Sequence, residues 1–431
     1  MNYAETLDYL YNTLPMFSRM GSAAFKKDLT NIQALCAHLG HPQQRFQSIH
    51  VGGTNGKGSV SHMLAATLQT AGYKTGLYTS PHLKDFRERI RVDGQMANEA
   101  FVVDFIENHK AFIESIQPSF FEITVAMAFE YFAQQQVEVA VVEVGLGGRL
   151  DSTNIVQPVL SVITNIGWDH MNLLGNTLEA IAGEKAGIIK PNTPVVVGEK
   201  QPATEPIFRQ VAQQKEAPLL FAEDRFQLMD YQLAADRLVL QVQDKEQDQT
   251  KTYQLDLPGI YQTKNILTVL QSIEVLKQKH FSISEQQVQT AFQQTKKITG
   301  LSGRWEVVHQ APAVVLEVAH NEDGMRQMLA HLAALHYQQL HIILGMVKDK
   351  EVEKVLALLP TQAHYYFTQA HIPRALEATA LQAKAAVFHL QGQVYQEVNQ
   401  ALQEALQQAA PEDMIVVCGS IFLVAEVEHH L

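Results

Sequence analysis

The residues best suited to chemistry lie in the glycine-rich segment Val51–Ser59, which reads Val-Gly-Gly-Thr-Asn-Gly-Lys-Gly-Ser. Glycines let the backbone turn tightly and bring several N–H groups close to one anion. Lys57 adds a positive charge suited to terminal phosphates. The segment therefore predicts a phosphate-binding loop and a nucleotide ligand. The alternative is a glycine-rich turn with a solvated lysine.

The spacing of this loop departs from the standard P-loop. Gly53 lies only three residues before Gly56, and the hydroxyl of Ser59 follows Lys57 by two positions instead of one. The flanking sequence still has the expected order of a strand at 46–51, a helical pattern from Val60 that ends at Gly72, and a strand at 74–78. This order favours phosphate binding over a simple turn.

Polar residues at the ends of predicted strands form a second group. Ser80 follows the strand at 74–78, Glu143 lies near the end of an apolar strand at 137–144, and His170 follows a strand at 158–164. Ligands of parallel α/β sheets gather outside these carboxyl ends. Burying a carboxylate is costly unless a cation or hydrogen bonds satisfy it, and magnesium held with phosphates would do so.

Structural roles remain open for each of these residues taken alone. Glu143 could instead accept hydrogen bonds from the amides of residues 145–148, and His170 could be a structural histidine because magnesium prefers oxygen ligands. Ser80 alone carries no signal.

The elements that must position these residues alternate between apolar strands and helical patterns. A further strand is predicted at 193–197, and Asn176 with Glu179 predicts a capped helix before it. Nearly continuous apolar strands belong in a parallel sheet covered on both faces, so we expect a doubly wound, mostly parallel α/β domain. The polar stretch 226–257 predicts antiparallel strands at the edge of that sheet.

A second, smaller Rossmann-like α/β domain is expected after the linker-like segment Thr299–Gly303. The predicted domains are residues 1–298 and 304–431. The strands of the second domain are predicted at 313–318, 340–344, 364–368 and 414–418.

Composition limits the classes of function. The 431 residues include 33 basic and 45 acidic ones, and the net charge of −12 opposes non-specific binding to nucleic acid or to an anionic membrane. Two cysteines far apart suggest neither disulfides nor a zinc site and fit a reducing cytoplasm. Neither a signal-peptide pattern nor a bilayer-length apolar run occurs. We therefore expect a cytoplasmic protein with small-molecule partners.

Taken together, the motifs resemble those of the folylpolyglutamate synthase and dihydrofolate synthase family of the Mur ligase superfamily. The resemblance extends from about Phe46 to the carboxyl terminus. The segments that carry it are Gly53–Ser59, Tyr78–Leu83, Glu143–Asp151, Glu184–Lys190, Gly303–Arg304, Ala319–Asn321, Gly345–Lys350 and Gly419–Ser420.

The resemblance implies ATP-dependent amide formation between a folate carboxylate and the amino group of L-glutamate. It implies ATP contacts from Gly53, Thr54, Asn55, Gly56, Lys57, Gly58, Ser59, Asn265, Arg304 and Glu317. It also implies two magnesium ions, with Ser80, Glu143, His170 and Lys185 as ligands.

Lys185 matches a family position where the lysine is carbamylated. An unmodified ammonium would repel magnesium, whereas a carbamate would be an anionic oxygen ligand. A lysine on the helix surface is the alternative. His320 is a candidate for contacting phosphate or for helping the glutamate amine lose its proton, and a structural hydrogen bond is its alternative.

The resemblance places folate contacts in two segments. They comprise Ser119, Phe120, Phe121 and Glu122, followed by Leu150, Asp151 and Ser152. The phenylalanines suit stacking on a flat ring. Adjacent side chains on a helix point apart, so we expect one of the two to be a core residue instead.

Three departures from the family pattern affect the second domain. Glu317 stands where aspartate is usual, which adds a methylene to a carboxylate expected to reach a ribose hydroxyl. Val318 replaces a common glycine, and Ser302 replaces a common proline. Other interpretations are a Mur-type ligase acting on a cell-wall precursor, a P-loop ATPase switch and a catalytically silent folate-binding protein. The family-based expectation for the oligomeric state is a monomer, and the sequence leaves open whether dihydropteroate, reduced folates or both are accepted.

Overall fold

The structure is a computed structural model that describes residues 1–16, 28–234, 236–348 and 352–428. The chain divides into two compact units. The first comprises Met1–Gln232, Val239–Asp256 and Gln262–Leu301, and the second comprises Leu233–Leu238, Leu257–Tyr261 and Ser302–Leu431. Asp349 and Lys350 of the signature at 345–350 lie outside the described residues.

The first unit is built on a sheet that has eight strands within the described ranges, in the order β4-β3-β2-β5-β1-β6-β7-β8. The strands are β1 Gln47–Gly52, β2 Thr75–Tyr78, β3 Ile90–Val92, β4 Gln95–Met96, β5 Val139–Glu143, β6 Leu160–Ile163, β7 Val195–Val197 and β8 Leu219–Phe221. Strands β3 and β4 pair antiparallel to their neighbours, whereas β2, β5, β1, β6, β7 and β8 pair in parallel.

The central strand β1 explains where the candidate residues meet. It lies between β5 and β6, and in its register Val51 pairs with Glu143 on one side and with Val162 on the other. The chain passes from β5 to β6 across β1, which makes this edge a topological switch point where ligands of α/β sheets bind. The loops after β2, β5, β1 and β6 therefore leave the sheet side by side.

Helices cover the sheet because its strands are apolar on both faces. The helices of this unit are α1 Tyr3–Asn12, α2 Thr30–His38, α3 Lys57–Thr70, α4 Glu99–Ile116, α5 Phe120–Gln134, α6 Met171–Leu174, α7 Leu178–Ala186, α8 Glu205–Gln214, α9 Ala222–Arg225, α10 Gln262–Gln278, α11 Glu285–Gln293 and α12 Thr295–Thr299. None of the helices in the described ranges is long and apolar enough to cross a membrane.

The polar stretch after β8 forms a sheet of its own. Its strands are β9 Phe226–Leu233, β10 Leu238–Asp244 and β11 Gln249–Leu255, in the order β11-β10-β9. The expectation that these strands extend the edge of the main sheet is wrong, because β8 is the last strand on that side. Their alternating burial, with Leu238, Leu240 and Val242 inside, gives the small sheet one packed face.

The second unit is a sheet in the order β12-β13-β17-β14-β15-β16. Its strands are β12 Glu306–Gln310, β13 Ala313–Leu316, β14 Leu340–Leu344, β15 His364–Phe367, β16 Gly392–Val394 and β17 Met414–Cys418, and β12 alone among these pairs antiparallel. The helices are α13 Glu322–Ala333, α14 Val352–Leu356, α15 Ala378–Ala386, α16 Val398–Gln408 and α17 Ile421–Ala425. The predicted two-domain α/β fold class is confirmed.

One predicted helix start is wrong by a residue. The N-cap of α7 is Thr177, whose hydroxyl oxygen accepts a hydrogen bond from the Ala180 amide at 3.1 Å, and Asn176 lies outside the cap. The extended backbone of Thr177 lets its side chain turn back over the first helical turn.

We expect Thr177→Ala to lower the free energy of unfolding by about 1 kcal/mol, because the amide of Ala180 loses its cap. Asn176→Ala is the matched control and should change that free energy by less than about 0.5 kcal/mol. Urea unfolding of both variants measures the difference. A larger effect of Asn176→Ala would place the cap where the sequence alone predicted it.

Candidate active site

The loop between β1 and α3 has backbone angles that only glycine adopts easily. Gly53 has φ 140° and Gly56 has φ 82°. A Cβ atom at Gly53 would lie 1.9 Å from Oγ1 of Thr164, and one at Gly56 would lie 2.3 Å from Oδ1 of Asn265. The two glycines thus allow both the turn and the close approach of neighbouring side chains.

Residues after β6 hold this loop in place. The amide of Thr54 donates to the carbonyl oxygen of Asn165 at 2.9 Å, and the amide of Asn55 donates to Oδ1 of the same residue at 2.9 Å. The hydroxyl of Thr164 donates to the carbonyl oxygen of Asn55 at 2.6 Å. Asn165 therefore uses its backbone and its side chain to fix consecutive loop amides. Sequence reasoning missed this role because the residue lies far from the loop in the sequence, after another strand.

Lys57 and Lys185 converge on a single carbonyl oxygen of the loop. Nζ of Lys57 donates to the carbonyl oxygen of Gly53 at 3.2 Å and to that of Thr54 at 3.0 Å. Nζ of Lys185, on α7, donates to the carbonyl oxygen of Gly53 at 2.7 Å. The structure thus joins two residues 128 positions apart in the sequence, which were predicted separately as phosphate and metal contacts.

The environment of Lys185 disfavours its charged form. Its side chain is only 5% exposed. Burial, and then repulsion from Lys57, lower the pKa of Lys185 to about 7, although Asp169 and Asp151 oppose the shift. The alternative of a lysine on the helix surface is therefore wrong.

Loop packing explains how Lys185 reaches this position. A Cβ atom at Gly148 would lie 2.7 Å from the carbonyl oxygen of Glu184 and 3.0 Å from Cα of Lys185. The loop after β5 therefore lies directly against the backbone of α7. Only glycine permits that approach.

The candidate metal ligands occupy the expected strand ends. Glu143 is 4% exposed at the end of β5, and its Oε2 accepts a hydrogen bond from the Ser80 amide at 2.9 Å. His170 has φ 51° at the start of α6, and its Nε2 lies 3.7 Å from Oδ2 of Asp169. The structure thus brings Ser80 next to Glu143. It also shows that Asp169, which was not among the predicted ligands, lies close to the ring of His170.

Ser59 contributes to packing inside the first unit. Its side chain is 1% exposed, and its Oγ accepts a hydrogen bond from Nε2 of Gln262 at 3.0 Å. Oε1 of Gln262 in turn accepts from Nδ2 of Asn265 at 2.8 Å. The first turn of α10 is thereby tied to the first turn of α3, and Asn265 is held beside Gly56.

The first predicted folate segment acts mainly as a helix start. Ser119 and Glu122 form a capping box, in which the Ser119 amide donates to Oε2 of Glu122 at 2.7 Å and the Glu122 amide donates to Oγ of Ser119 at 3.2 Å. Phe120 is 4% exposed and lies under the Arg89 guanidinium at 5.2 Å. Phe120 is therefore the core residue of the phenylalanine pair, and Phe121, which is only partly buried, is the candidate for ring stacking.

The second predicted folate segment is shaped by Asp151. Its Oδ2 accepts from the Leu146 amide at 2.8 Å, and its Oδ1 accepts from the Thr153 amide at 3.0 Å, which caps the short 3₁₀ helix Ser152–Ile155. Asp151 is 3% exposed, and burial raises the pKa of its carboxyl group. Both carboxylate oxygens of Asp151 thus accept hydrogen bonds from backbone amides. Leu150 and Ser152 are the neighbours of Asp151 in the same segment.

The remaining predicted residues lie in the second unit. Nη1 of Arg304 donates to the carbonyl oxygen of Gly303 at 3.3 Å. Nδ1 of His320 lies 3.0 Å from the carbonyl oxygen of Val318, so that nitrogen carries a proton. Glu317 is 3% exposed, and burial raises its pKa while Arg304 opposes the shift.

The sheet topology and the loop define a ligase of the Mur class. Residues 51–273 match the family model described as Mur ligase middle domain, and residues 303–421 match the model described as Mur ligase, glutamate ligase domain. More specifically, the chain belongs to the dihydrofolate synthase/folylpolyglutamate synthase family.

Curated relatives cover nearly the whole chain. The dihydrofolate synthase/folylpolyglutamate synthase of Bacillus subtilis is 31% identical over 94% of this chain and 95% of its own length. The folylpolyglutamate synthase of Lacticaseibacillus casei is 33% identical over 100% of this chain and 99% of its own length.

Solved structures agree with this assignment. A Mycobacterium tuberculosis folylpolyglutamate synthase complexed with ADP and AMPPCP has a TM-score of 0.86 at 30% identity and covers 99% of this chain and 98% of its own. Escherichia coli FolC in complex with DHPP and ADP has a TM-score of 0.83 at 31% identity, with coverage of 99% and 96%. The predicted family and its ligase activity are confirmed. The alternatives of a Mur-type ligase acting on a cell-wall precursor and of a P-loop ATPase switch are less well supported.

We expect Gly56→Ala to abolish measurable nucleotide binding, because the new methyl group would meet Asn265 and the positive φ would be strained. Gly72→Ala is the matched control: Gly72 has φ 92° at the other end of the same helix, and a Cβ atom there would have open space. Isothermal titration with ATP distinguishes the two. Equal affinities of the two variants would show that the contact with Asn265 is unimportant.

Proposed function

We propose that the chain is an ATP-dependent ligase that joins L-glutamate to the carboxylate of a folate. The observation that carries the proposal is the convergence of Lys57 and Lys185 on Gly53 in a phosphate-type loop. Two ammonium groups this close repel each other, and an anionic phosphate beside them relieves the repulsion. Relatives of similar fold have been solved with ADP, AMPPCP and DHPP, which supports a nucleotide and a pterin-type ligand here.

In this proposal the loop Gly53–Ser59 and Lys57 hold the β- and γ-phosphates of ATP. The amides of Thr54 and Asn55 donate to Asn165, so they shape the loop. The amides at the start of α3 are donors without intrahelical partners and suit the phosphates. Asn265 supports the loop at Gly56, and Arg304 is the proposed nucleotide contact of the second unit.

Ser80, Glu143 and His170 would hold magnesium. No group of three His, Cys, Asp or Glu side chains gathers as a preformed metal site in the part of the chain that the structure describes. Magnesium is commonly held by one or two carboxylates together with phosphates and water. The buried Glu143 carboxylate supplies the charged oxygen ligand, and bound magnesium would neutralise the developing phosphate charge.

Lys185 is proposed to be carbamylated. Only a neutral amine attacks carbon dioxide, and the buried Lys185 has a lowered pKa that favours this form. In that reaction the Nζ–carbon bond forms, one proton leaves the amine, and an anionic carbamate oxygen results. A carbamate here would replace the repulsion between Lys57 and Lys185 by attraction and would provide a further oxygen ligand for magnesium.

The proposed reaction has two steps. The folate carboxylate attacks the γ-phosphorus, the bond between that phosphorus and the bridging oxygen of the β-phosphate breaks, and ADP departs. The folate then carries an acyl phosphate. The glutamate amine then attacks the acyl carbon, inorganic phosphate departs, and the amine loses a proton. Lys57 and the loop amides hold the transferring phosphate in line, and positioning of this kind contributes much of the acceleration in phosphoryl transfer.

His320 is proposed to take the proton from the glutamate amine. Because its Nδ1 donates to the carbonyl oxygen of Val318, the neutral ring has its acceptor at Nε2. The tautomer is therefore the one that a general base requires.

For the folate ring we propose contacts from Phe121, Leu150 and Ser152, while Ser119, Phe120, Glu122 and Asp151 build the elements that carry them. A Cβ atom at Gly145 would lie 2.4 Å from Cζ of Phe121, so the glycine leaves room for this ring beside the loop after β5. Dihydropteroate is a second candidate substrate, because the Bacillus subtilis relative is named for both activities.

We expect ADP release only when a folate-type acceptor and glutamate are both present. Tetrahydrofolate and dihydropteroate, each assayed with and without glutamate, test the reaction and the choice of acceptor in one coupled assay. Sustained ADP release without any acceptor would contradict the ligase mechanism. Turnover with only one acceptor would decide between the two proposed substrates.

We expect Lys185→Ala to reduce turnover at least about hundredfold, because an oxygen ligand is lost, and short-chain carboxylic acids should restore part of it by filling the space. Removal of carbon dioxide and bicarbonate should lower the turnover of the unaltered protein. Lys215→Ala, which removes an exposed lysine, is the matched control. Near-normal turnover of Lys185→Ala without added acid would rule out the carbamate.

A further inference from the structure

Glu317 is a buried carboxylate of the second unit that accepts three hydrogen bonds from other parts of the chain. Its Oε2 accepts hydrogen bonds from the hydroxyl of Tyr261 at 2.8 Å and from the amide of Trp305 at 3.0 Å. Its Oε1 accepts from the amide of Ala319 at 3.2 Å. A carboxylate offers about four acceptor positions, so the protein itself occupies most of them.

The bond to Trp305 controls the backbone that carries Arg304. Trp305 has φ 47°, a left-handed conformation that costs energy for a bulky residue and must be held by its surroundings. Its ring is 2% exposed and lies 3.9 Å from the ring of His331. The ring contact holds the Trp305 side chain, and the Glu317 carboxylate holds the Trp305 amide. Together they fix the backbone next to Arg304 and thus the direction of the Arg304 side chain.

The bond to Ala319 acts on the other functional segment. Ala319 directly precedes His320, whose Nδ1 donates to the carbonyl oxygen of Val318. The amide of Val318 in turn donates a hydrogen bond to the carbonyl oxygen of Gly303 at 3.3 Å. One buried carboxylate therefore joins the turn at Gly303–Trp305 to the segment that holds His320.

Tyr261 extends the same cluster. It belongs to the segment Leu257–Tyr261, which groups with the second unit although its sequence neighbours belong to the first. The amide of Ile260 donates to Nδ1 of His331 at 3.0 Å, so a second bond accompanies the one from the Tyr261 hydroxyl. The segment is thus held by Glu317 and by the histidine that packs on Trp305.

We propose that Glu317 is a positioning residue, which fixes the backbone at Arg304 and His320, and that it does not bind the ribose of ATP. The proposal rests on the function proposed above, in which Arg304 contacts the nucleotide. The glutamate side chain contacts Tyr261, Trp305 and Ala319 at once.

Nucleotides that lack one ribose hydroxyl distinguish the two roles. We expect Glu317→Gln to weaken the binding of ATP, 2′-deoxy-ATP and 3′-deoxy-ATP by the same factor, about tenfold, because a misplaced Arg304 affects all three alike. Isothermal titration without folate or glutamate measures this. A loss that disappears with one deoxy-nucleotide would show direct ribose binding and would overturn the proposal.

Coupling to Arg304 provides an independent check. In the Arg304→Ala background, Glu317→Gln should weaken ATP binding by less than about twofold further, because the residue that Glu317 positions is absent. Fully additive losses would overturn the proposal. Because the titration uses nucleotide alone, failure of the unaltered protein to bind ATP would instead contradict the proposed function itself.

Tyr261→Phe keeps the proposal testable if Glu317→Gln fails to fold. Removal of this hydroxyl should weaken ATP binding about threefold, equally for all three nucleotides, because the carboxylate loses one of its donors. Tyr365→Phe is the matched control, since it removes a buried hydroxyl of the same unit that donates to the carbonyl oxygen of Pro360. Unchanged affinity of folded Tyr261→Phe, or an equal loss in both variants, would contradict a positioning role.

Discussion

The carbonyl oxygen of Gly53 accepts hydrogen bonds from two lysine ammonium groups, and the candidate active site depends on this contact. Lys57 and Lys185 approach it from different helices, and burial together with mutual repulsion destabilises the charged form of Lys185. The net charge of −12 makes such a local concentration of positive charge necessary for binding anionic substrates. In the proposed function, an anion beside the loop or a carbamate on Lys185 would relieve this repulsion between the two side chains.

The loop owes its shape to neighbours that are remote in sequence. Thr164 and Asn165 after β6 hold it from one side, and Asn265 on α10 lies against Gly56 on the other. The glycines make these approaches sterically possible, and the partners occupy the amides of Thr54 and Asn55. The shape of the proposed phosphate site therefore depends on the sheet and its helices together.

Three buried carboxylates, Asp151, Glu317 and Glu143, have different surroundings. Asp151 and Glu317 use their oxygens on backbone amides of adjoining segments and shape the loops around them. Glu143 accepts the Ser80 amide at the end of a parallel strand, beside the phosphate loop, where a cation can complete its environment. The distinction follows from the position of these residues in the fold, since all three are almost completely buried.

The sequence by itself determined the fold class, the glycine-rich loop and the strand ends near Ser80, Glu143 and His170, because apolar periodicity and glycine spacing can be recognised within short segments of sequence. Phosphate binding by the loop stays a prediction. The family motifs added the ligase activity. Only the tertiary structure decided that Lys185 meets the loop, that Phe120 is the core residue of its pair, and that Thr177 caps α7. These outcomes depend on partners brought together by folding, and sequence spacing contains no information about which donor finally reaches which acceptor.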